Sequence, residues 1–144
     1  MDSIRSKQLA VTSGMLQTSS VWRRMAEKAL AEDGISVARA NTLLWIGRLG
    51  GGVRQVKLAE TLGLTSNSLV RLLDELSASG LVERRDDPLD RRAKSLWLTK
   101  EGRLLADRVE DVLSRLRERV LRDISDTDLD AALRVFSAIL AAEG

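Results

Sequence analysis

A mostly helical chain with one small β-hairpin is predicted by three features of the sequence. Strand formers are scarce, with three Trp, one Phe and no Tyr in 144 residues. Leu, Ala, Arg and Glu, which favour helix, are abundant. Proline occurs once, at Pro88, inside a very polar stretch that separates two short segments with strand character.

Composition sets further bounds. With 44% hydrophobic and 31% charged residues, the chain fits one globular domain, or one domain with dimerisation arms, and not a disordered tail or a fibre. The longest apolar run, Ala138 to Ala142, is far short of the roughly 20 residues that span a bilayer, and the N-terminus carries no apolar leader. A soluble, cytoplasmic protein without a membrane partner is expected. The absence of Cys excludes disulfides, thiolate zinc sites and cysteine nucleophiles, and the absence of His removes the commonest metal ligand and general base. Neither a metal nor a cofactor is expected. A net charge of +2 permits a polyanionic partner without requiring one.

Taken in order, apolar residues from Leu9 to Leu30 recur at three- and four-residue spacing within Lys7 to Glu32, a first helix. Asp33-Gly34 breaks it, and Ser36 caps a second in which Leu43, Ile46 and Leu49 share a face up to Gly50-Gly51-Gly52. Val53-Arg54-Gln55 is long enough only for a sheet-edge bridge. Lys57 to Leu62 is a short helix ended by Gly63, and Thr65 caps another with Leu69, Leu72, Leu73 and Leu76 as its buried stripe. Leu81 to Arg85 and Lys94 to Leu98 are strands joined by a long polar tip, Asp86 to Arg92. Thr99 begins a long helix with a seam of Leu105, Val109, Val112, Leu116 and Val120, and Ser125 or Asp126 caps a last one carrying Leu129, Leu133, Phe136 and Ile139. The acids Asp126, Asp128 and Asp130 suit a helix start; a calcium loop would need a glycine and a closing glutamate that are missing here.

The centre of the chain meets the physical criteria of a helix-turn-helix. Ala59 lets two helices approach, Gly63 makes the tight turn, and Leu58, Leu62, Leu64, Leu69 and Leu72 supply a shared core. In such a unit the second helix offers its outward N-terminal residues to the major groove, here Ser66, Asn67, Ser68 and Arg71, with Val70 partly exposed. Arg71 suits a guanine edge or a phosphate, Asn67 an adenine edge, and the serines phosphate oxygens. Arg54 lies just ahead of the unit. The hairpin after it forms a wing whose tip carries Arg91, Arg92 and Lys94, cations suited to a flanking minor groove.

The runs Leu58-Ala59-Glu60-Thr61-Leu62-Gly63-Leu64-Thr65, Arg71-Leu72-Leu73-Asp74-Glu75-Leu76 and Gly80-Leu81-Val82 lead into Asp86-Asp87-Pro88-Leu89-Asp90-Arg91-Arg92-Ala93-Lys94 and Leu98-Thr99-Lys100-Glu101-Gly102. Together they resemble the MarR-type winged-helix transcription regulators. The likeness is close over about residues 35 to 120, and the wing followed by Leu-Thr-x-Glu-Gly is its most specific part. It implies a winged helix-turn-helix spanning residues 35–102, with dimerisation helices in residues 1–34 and 103–144. It further implies a homodimer on a pseudo-palindromic double-stranded operator, repressing until a small organic effector enters a cleft between the two parts. In the family pattern the wing acid, here Asp90, pairs with the arginine two residues on, here Arg92, and sets it in the minor groove. Two positions depart from the pattern: Val70 stands where a hydroxyl residue is usual, and Trp97 where polar residues are expected.

Competing readings stay open at several positions. The segment Val53 to Val82 has no net charge, and Glu83 to Lys94 has five basic residues against four acids, so a solvated loop and a protein-docking winged helix are the alternatives to DNA binding. Arg71 has Asp74 and Glu75 within helical reach for a surface salt bridge. Trp22 and Trp45, with Arg23, Met25 and Arg48 nearby, are candidates for lining the effector cleft, against plain core packing. Strand alternation with Leu96 and Leu98 inward points Trp97 outward, over the second helix or the pocket rim. The cluster Arg115, Arg117, Arg119 and Arg122 is a solvated face at a helix C-terminus. An enzyme is not expected: Gly50-Gly51-Gly52 lacks the Lys-Ser/Thr of a phosphate-cradling loop, and no reaction class can be named. The terminal helices carry more apolar seam than this core can cover, which independently favours a dimer.

Overall fold

The computed structural model describes residues 3–144, and of Arg91 the backbone alone. Six helices and three strands follow one another as α1 (Ser3–Leu30), α2 (Val37–Arg48), β1 (Val53–Arg54), α3 (Gln55–Leu62), α4 (Ser66–Ala78), β2 (Val82–Asp87), β3 (Asp90–Leu98), α5 (Lys100–Val120) and α6 (Asp126–Ala142), with a 3-10 turn at Ala31–Asp33. Two compact units are formed, one up to Leu113 and one from Ser114 onward. No helix among the described residues is long and apolar enough to cross a membrane.

Helix starts follow local capping chemistry. The side chains of Ser36, Thr65 and Ser125 accept the backbone N–H groups of Arg39, Ser68 and Asp128, satisfying donors that a helix leaves orphaned. At the other end of α3, Gly63 takes the left-handed conformation at φ 66° while its neighbour Leu64 bonds back to the Ala59 carbonyl at 3.0 Å. This closure turns the chain directly into α4. In the first unit the core is built on α2, with Ala40, Leu43, Leu44 and Ile46 buried, and on Leu58, Leu69, Leu73, Leu76, Val82 and Leu96 from the elements that follow. Thr42, also buried, satisfies its hydroxyl by donating to the Ala38 carbonyl at 2.8 Å.

The sheet has the order β1-β3-β2 and is antiparallel throughout. Its hairpin is longer than the sequence predicts: pairing reaches Asp86↔Lys94 and Asp87↔Asp90, so only Pro88 and Leu89 remain as the turn, with an irregularity between Asp86 and Asp87. At the Asp86↔Lys94 rung the facing charges are opposite, which makes it compatible with a strand, while at Asp87↔Asp90 the like charges are offset by Arg54, which pairs with Asp87. Trp97 also departs from the expectation. It is half-buried, and its indole lies over the Gly51–Gly52 turn so closely that a Cβ at Gly52 would sit 2.9 Å from the ring.

The seam of α5 differs by one position from the expected spacing. Leu105, Val109, Leu113 and Leu116 are buried, whereas Val112 is half-buried and Val120 exposed, because the burial keeps a true helical period. In the second unit α6 has no buried residue.

Thr99 ties the wing to α5. Its hydroxyl donates to the Gly80 carbonyl at 2.6 Å and accepts the Gly102 N–H at 3.0 Å. The same junction brings the Leu81 carbonyl so close that a Cβ at position 102 would lie 2.0 Å from its oxygen. Gly102→Ala is therefore expected to destabilise the fold by about 1–3 kcal/mol, the usual range for overpacking against immobile atoms. Urea unfolding measures it; an unchanged midpoint would show that the junction relaxes without cost.

Candidate nucleic-acid interface

The orientation of α4 follows from its amphipathic pattern. Leu69, Leu73 and Leu76 are at most 1% exposed, and their burial turns Ser66, Asn67, Ser68, Val70 and Arg71 into solvent. Arg71 is held by neither of the acids within its helical reach. Asp74 pairs with Arg84 from β2 at 2.7 Å, and Glu75 pairs with Arg39 from α2 at 2.9 Å. The surface-salt-bridge alternative for Arg71 is therefore not realised, and both acids flanking it are matched by cations.

In the wing, the predicted cations fall into two groups. Lys94 is engaged by Asp86 across the hairpin, and Arg54 is engaged by Asp87. Arg92 is exposed, and its side chain meets no acid among the described residues. The side chain of Arg91 lies outside the described atoms. The family-pattern ion pair between Asp90 and Arg92 does not form; instead Asp90 Oδ1 accepts the backbone N–H of Arg92 at 3.0 Å. This bond shapes the turn and, among the described residues, leaves the guanidinium unpaired, since a short aspartate two residues back reaches the peptide more easily than the end of a long side chain.

Asp87 is the residue that sequence reasoning missed. Its Oδ1 accepts the Leu89 N–H at 2.8 Å, an Asx turn, while its Oδ2 receives Arg54 Nε at 3.0 Å and Nη2 at 2.9 Å. The side chain is only 12% exposed. The Leu89 N–H holds its pKa below the ordinary 3.8, against the partial burial that raises it, and the Arg54 contacts lower it further. The Asp-Pro-Leu turn signal was visible in the sequence; the long-range partner was not.

Two hollows adjoin these elements. One, of about 610 Å³, lies between the first turn of α3 and the wing, and its walls include Arg54, Lys57, Arg92 and Lys94 against Glu60 and Asp90. The other, of about 410 Å³, is lined by Trp22 and Arg23 of α1, Asn41 and Thr42 of α2, and Leu62 and Leu64 on either side of the helix-turn-helix turn. Trp22 and Arg23 are thus brought together as the sequence predicts, while Met25, Trp45 and Arg48 are not part of that lining. On α1 the lining residues Ser19, Trp22, Arg23 and Ala26 form one stripe, from which Met25 is rotated by the helical period. Trp45 is instead stacked under the Arg48 guanidinium at 5.1 Å, and Arg48 pairs with Glu110 of α5 at 2.7 Å.

These features define a winged helix-turn-helix with an outward polar helix and a cationic wing. Comparison with known proteins extends the assignment. The model of the MarR family matches residues 33–93. The transcriptional regulator PA3341 is 33% identical, with 92% of this chain and 96% of that one covered, and superposes at a TM-score of 0.84. CouR from Rhodococcus jostii RHA1, solved bound to p-coumaroyl-CoA, is 31% identical over 90% of each chain, with a TM-score of 0.80. A mutant MarR from E. coli in complex with operator DNA is 19% identical over 97% of this chain and 99% of that one, and its TM-score of 0.81 is a likeness of fold. The chain belongs to the MarR family of winged-helix transcription regulators, which regulate transcription and catalyse no reaction.

The Asp87 contact has a solution signature. A depressed carboxylate pKa stabilises the fold above the unfolded value of about 4, and that contribution disappears as pH falls through the lower folded value. Carbon-detected NMR titration should find Asp87 ionising below a free aspartate, and Arg54→Gln should raise its pKa. Identical values in the two proteins would mean that Arg54 does not reach the carboxylate in solution.

Proposed function

We propose that the protein is a homodimeric, sequence-specific DNA-binding repressor whose hold on a pseudo-palindromic operator is relieved by a small organic ligand. The observation that carries the DNA reading is the exposure of Ser66, Asn67, Ser68, Val70 and Arg71 on one helix whose opposite face is fully buried. In this reading residues 66–71 enter the major groove, with Val70 against a thymine methyl, and Arg92 enters the adjacent minor groove. Arg54 and Lys94 act beside them with charges already shared with Asp87 and Asp86. A protein of the same fold, the E. coli MarR mutant, was solved in complex with operator DNA, which supports the DNA-binding reading.

Dimerisation is supported by unpartnered apolar faces at both ends of the chain. On α1, Ile4, Leu9 and Leu16 are 64%, 56% and 78% exposed; on α6, Leu133, Phe136 and Leu140 are 60%, 48% and 71% exposed. Monomers do not usually leave so many large apolar side chains in water. Residues 1–34 and 103–144 accordingly serve as the dimerisation region and 35–102 as the DNA-binding region.

The effector site of this reading is the 410 Å³ hollow, which falls within the usual size of a small-molecule pocket. Its lining combines the Trp22 ring with the cation Arg23 and the amide of Asn41, and no acid is among its walls. An aromatic or acyl compound bearing a carboxylate fits that chemistry, and CouR, a relative, binds an acyl-CoA. Because Leu62 and Leu64 form part of the wall, an occupant presses on the turn that aims α4.

Binding to duplexes from the upstream region of its own operon tests the proposal. Affinity should fall by a thousandfold or more between about 50 and about 200 mM salt, as neutralised phosphates release counterions. Arg92→Ala should weaken binding about tenfold, the size of a lost charge-assisted contact, without changing the dimer. Salt-insensitive binding, or capture of a protein partner in place of DNA, would favour the docking alternative. Light scattering at micromolar concentration should give a dimer, and Leu133→Glu with Phe136→Glu a monomer; a monomeric wild type would remove dimerisation from the account.

A further inference from the structure

We propose that Asp87 is a positioning residue for DNA recognition: by gripping Arg54 it holds the wing against the helix-turn-helix and so fixes where Arg92 reaches. The inference rests on the DNA-binding reading above but concerns a residue outside the predicted contacts.

The outer part of the wing has little support from the rest of the sheet. β1 pairs with β3 only at Leu96 and Ser95, so the outer hairpin from Asp86 to Lys94 is a two-stranded ribbon without a third strand. Such ribbons are marginally stable in water and flex about their base. The base itself is anchored: Arg84 holds Asp74 of α4, and Trp97 stacks under Arg85 at 4.5 Å and against the Gly51–Gly52 turn. Beyond Arg85 three polar contacts are internal to the hairpin, Asp86 with Lys94, Asp87 with Leu89 and Asp90 with Arg92. Among the described residues, the one ion pair from this outer ribbon to the helix-turn-helix is Asp87 with Arg54, the residue at which β1 passes into α3.

Each oxygen of Asp87 has a separate task. Oδ1 folds the turn through Leu89, and Oδ2 accepts the Arg54 Nε–H and lies 2.9 Å from its Nη2. The turn thus cannot move away from α3 without breaking a charge-assisted contact whose acid is largely withdrawn from water. Arg92 stands five residues further on, on the wall of the cleft that Arg54 also lines, so the same contact sets the distance between the wing arginine and α3.

A double-mutant cycle on operator affinity tests the proposal, using Asp87→Asn and Arg92→Ala. Asparagine keeps an oxygen for the Leu89 N–H but loses the charge that holds Arg54. Removing an acid beside DNA would by simple electrostatics tighten binding; the positioning role predicts about a tenfold loss. It also predicts non-additivity: the double variant should bind no more weakly than Arg92→Ala alone. Tighter binding by Asp87→Asn, or losses that multiply, would overturn the proposal. Amide exchange at residues 89–93 in the DNA-free protein gives a second reading. It should quicken in Asp87→Asn while the helices keep their protection, and unchanged exchange would equally overturn the proposal. If the wild type binds no duplex, the functional reading fails, and the exchange experiment still decides the clamp.

Discussion

The burial of one face of α4 is the constraint on which the remainder depends. Leu69, Leu73 and Leu76 are removed from water against α2, α3 and β2, each contributing roughly 1.5–3 kcal/mol. The ion pairs around the same helix, Arg39 with Glu75 and Arg84 with Asp74, are partly exposed and contribute at most about 1 kcal/mol each. Packing therefore decides which way the helix faces, and the ion pairs settle which charges remain available. What remains on the outward face is hydroxyl, amide, one valine and the guanidinium of Arg71, which pairs with no acid among the described residues.

This division also resolves the low net charge of the central segment. A neutral sum would argue against a polyanion partner if the charges were evenly mixed. They are not: Asp74 and Glu75 are covered by Arg84 and Arg39, and Asp86 and Asp87 are covered by Lys94 and Arg54. These four acids are spent within the fold, Glu60 and Asp90 remain on the wall of the 610 Å³ hollow, and Arg71 and Arg92 are left unpaired among the described residues. Placement, not abundance, supplies the positive surface.

The parts of the fold legible in the sequence were those fixed by local chemistry. Ser36 and Thr65 cap the helices they were expected to cap, and of the two candidates for the last helix Ser125 is the cap, because a cap needs only its own next three residues. The turn at Gly63 and the α4 stripe were readable for the same reason, except that Leu72, expected within the stripe, is only half-buried. Features that depend on register between distant segments were not. The hairpin runs further than its apolar residues suggest because Asp86 faces Lys94, and Trp97 lies over Gly51 and Gly52 because β3 also pairs with β1. Likewise Asp87 finds Arg54, 33 positions away in sequence, while the expected partner of Arg92 bonds to a peptide instead. In the 410 Å³ hollow, Trp22 and Arg23 share a lining because helical spacing puts them on one stripe of α1, whereas Trp45 and Arg48 are not part of that lining, a distinction that sequence spacing alone does not make.

The central claim is that a pair of outward helices reads two successive major-groove faces of one duplex. Guanine N7 methylation protection on an operator fragment measures this most directly, since that atom lies in the major groove. Two protected stretches centred about 10 base pairs apart, one helical turn, are expected. One isolated stretch, or two separated by a half-integral number of turns, would contradict the account.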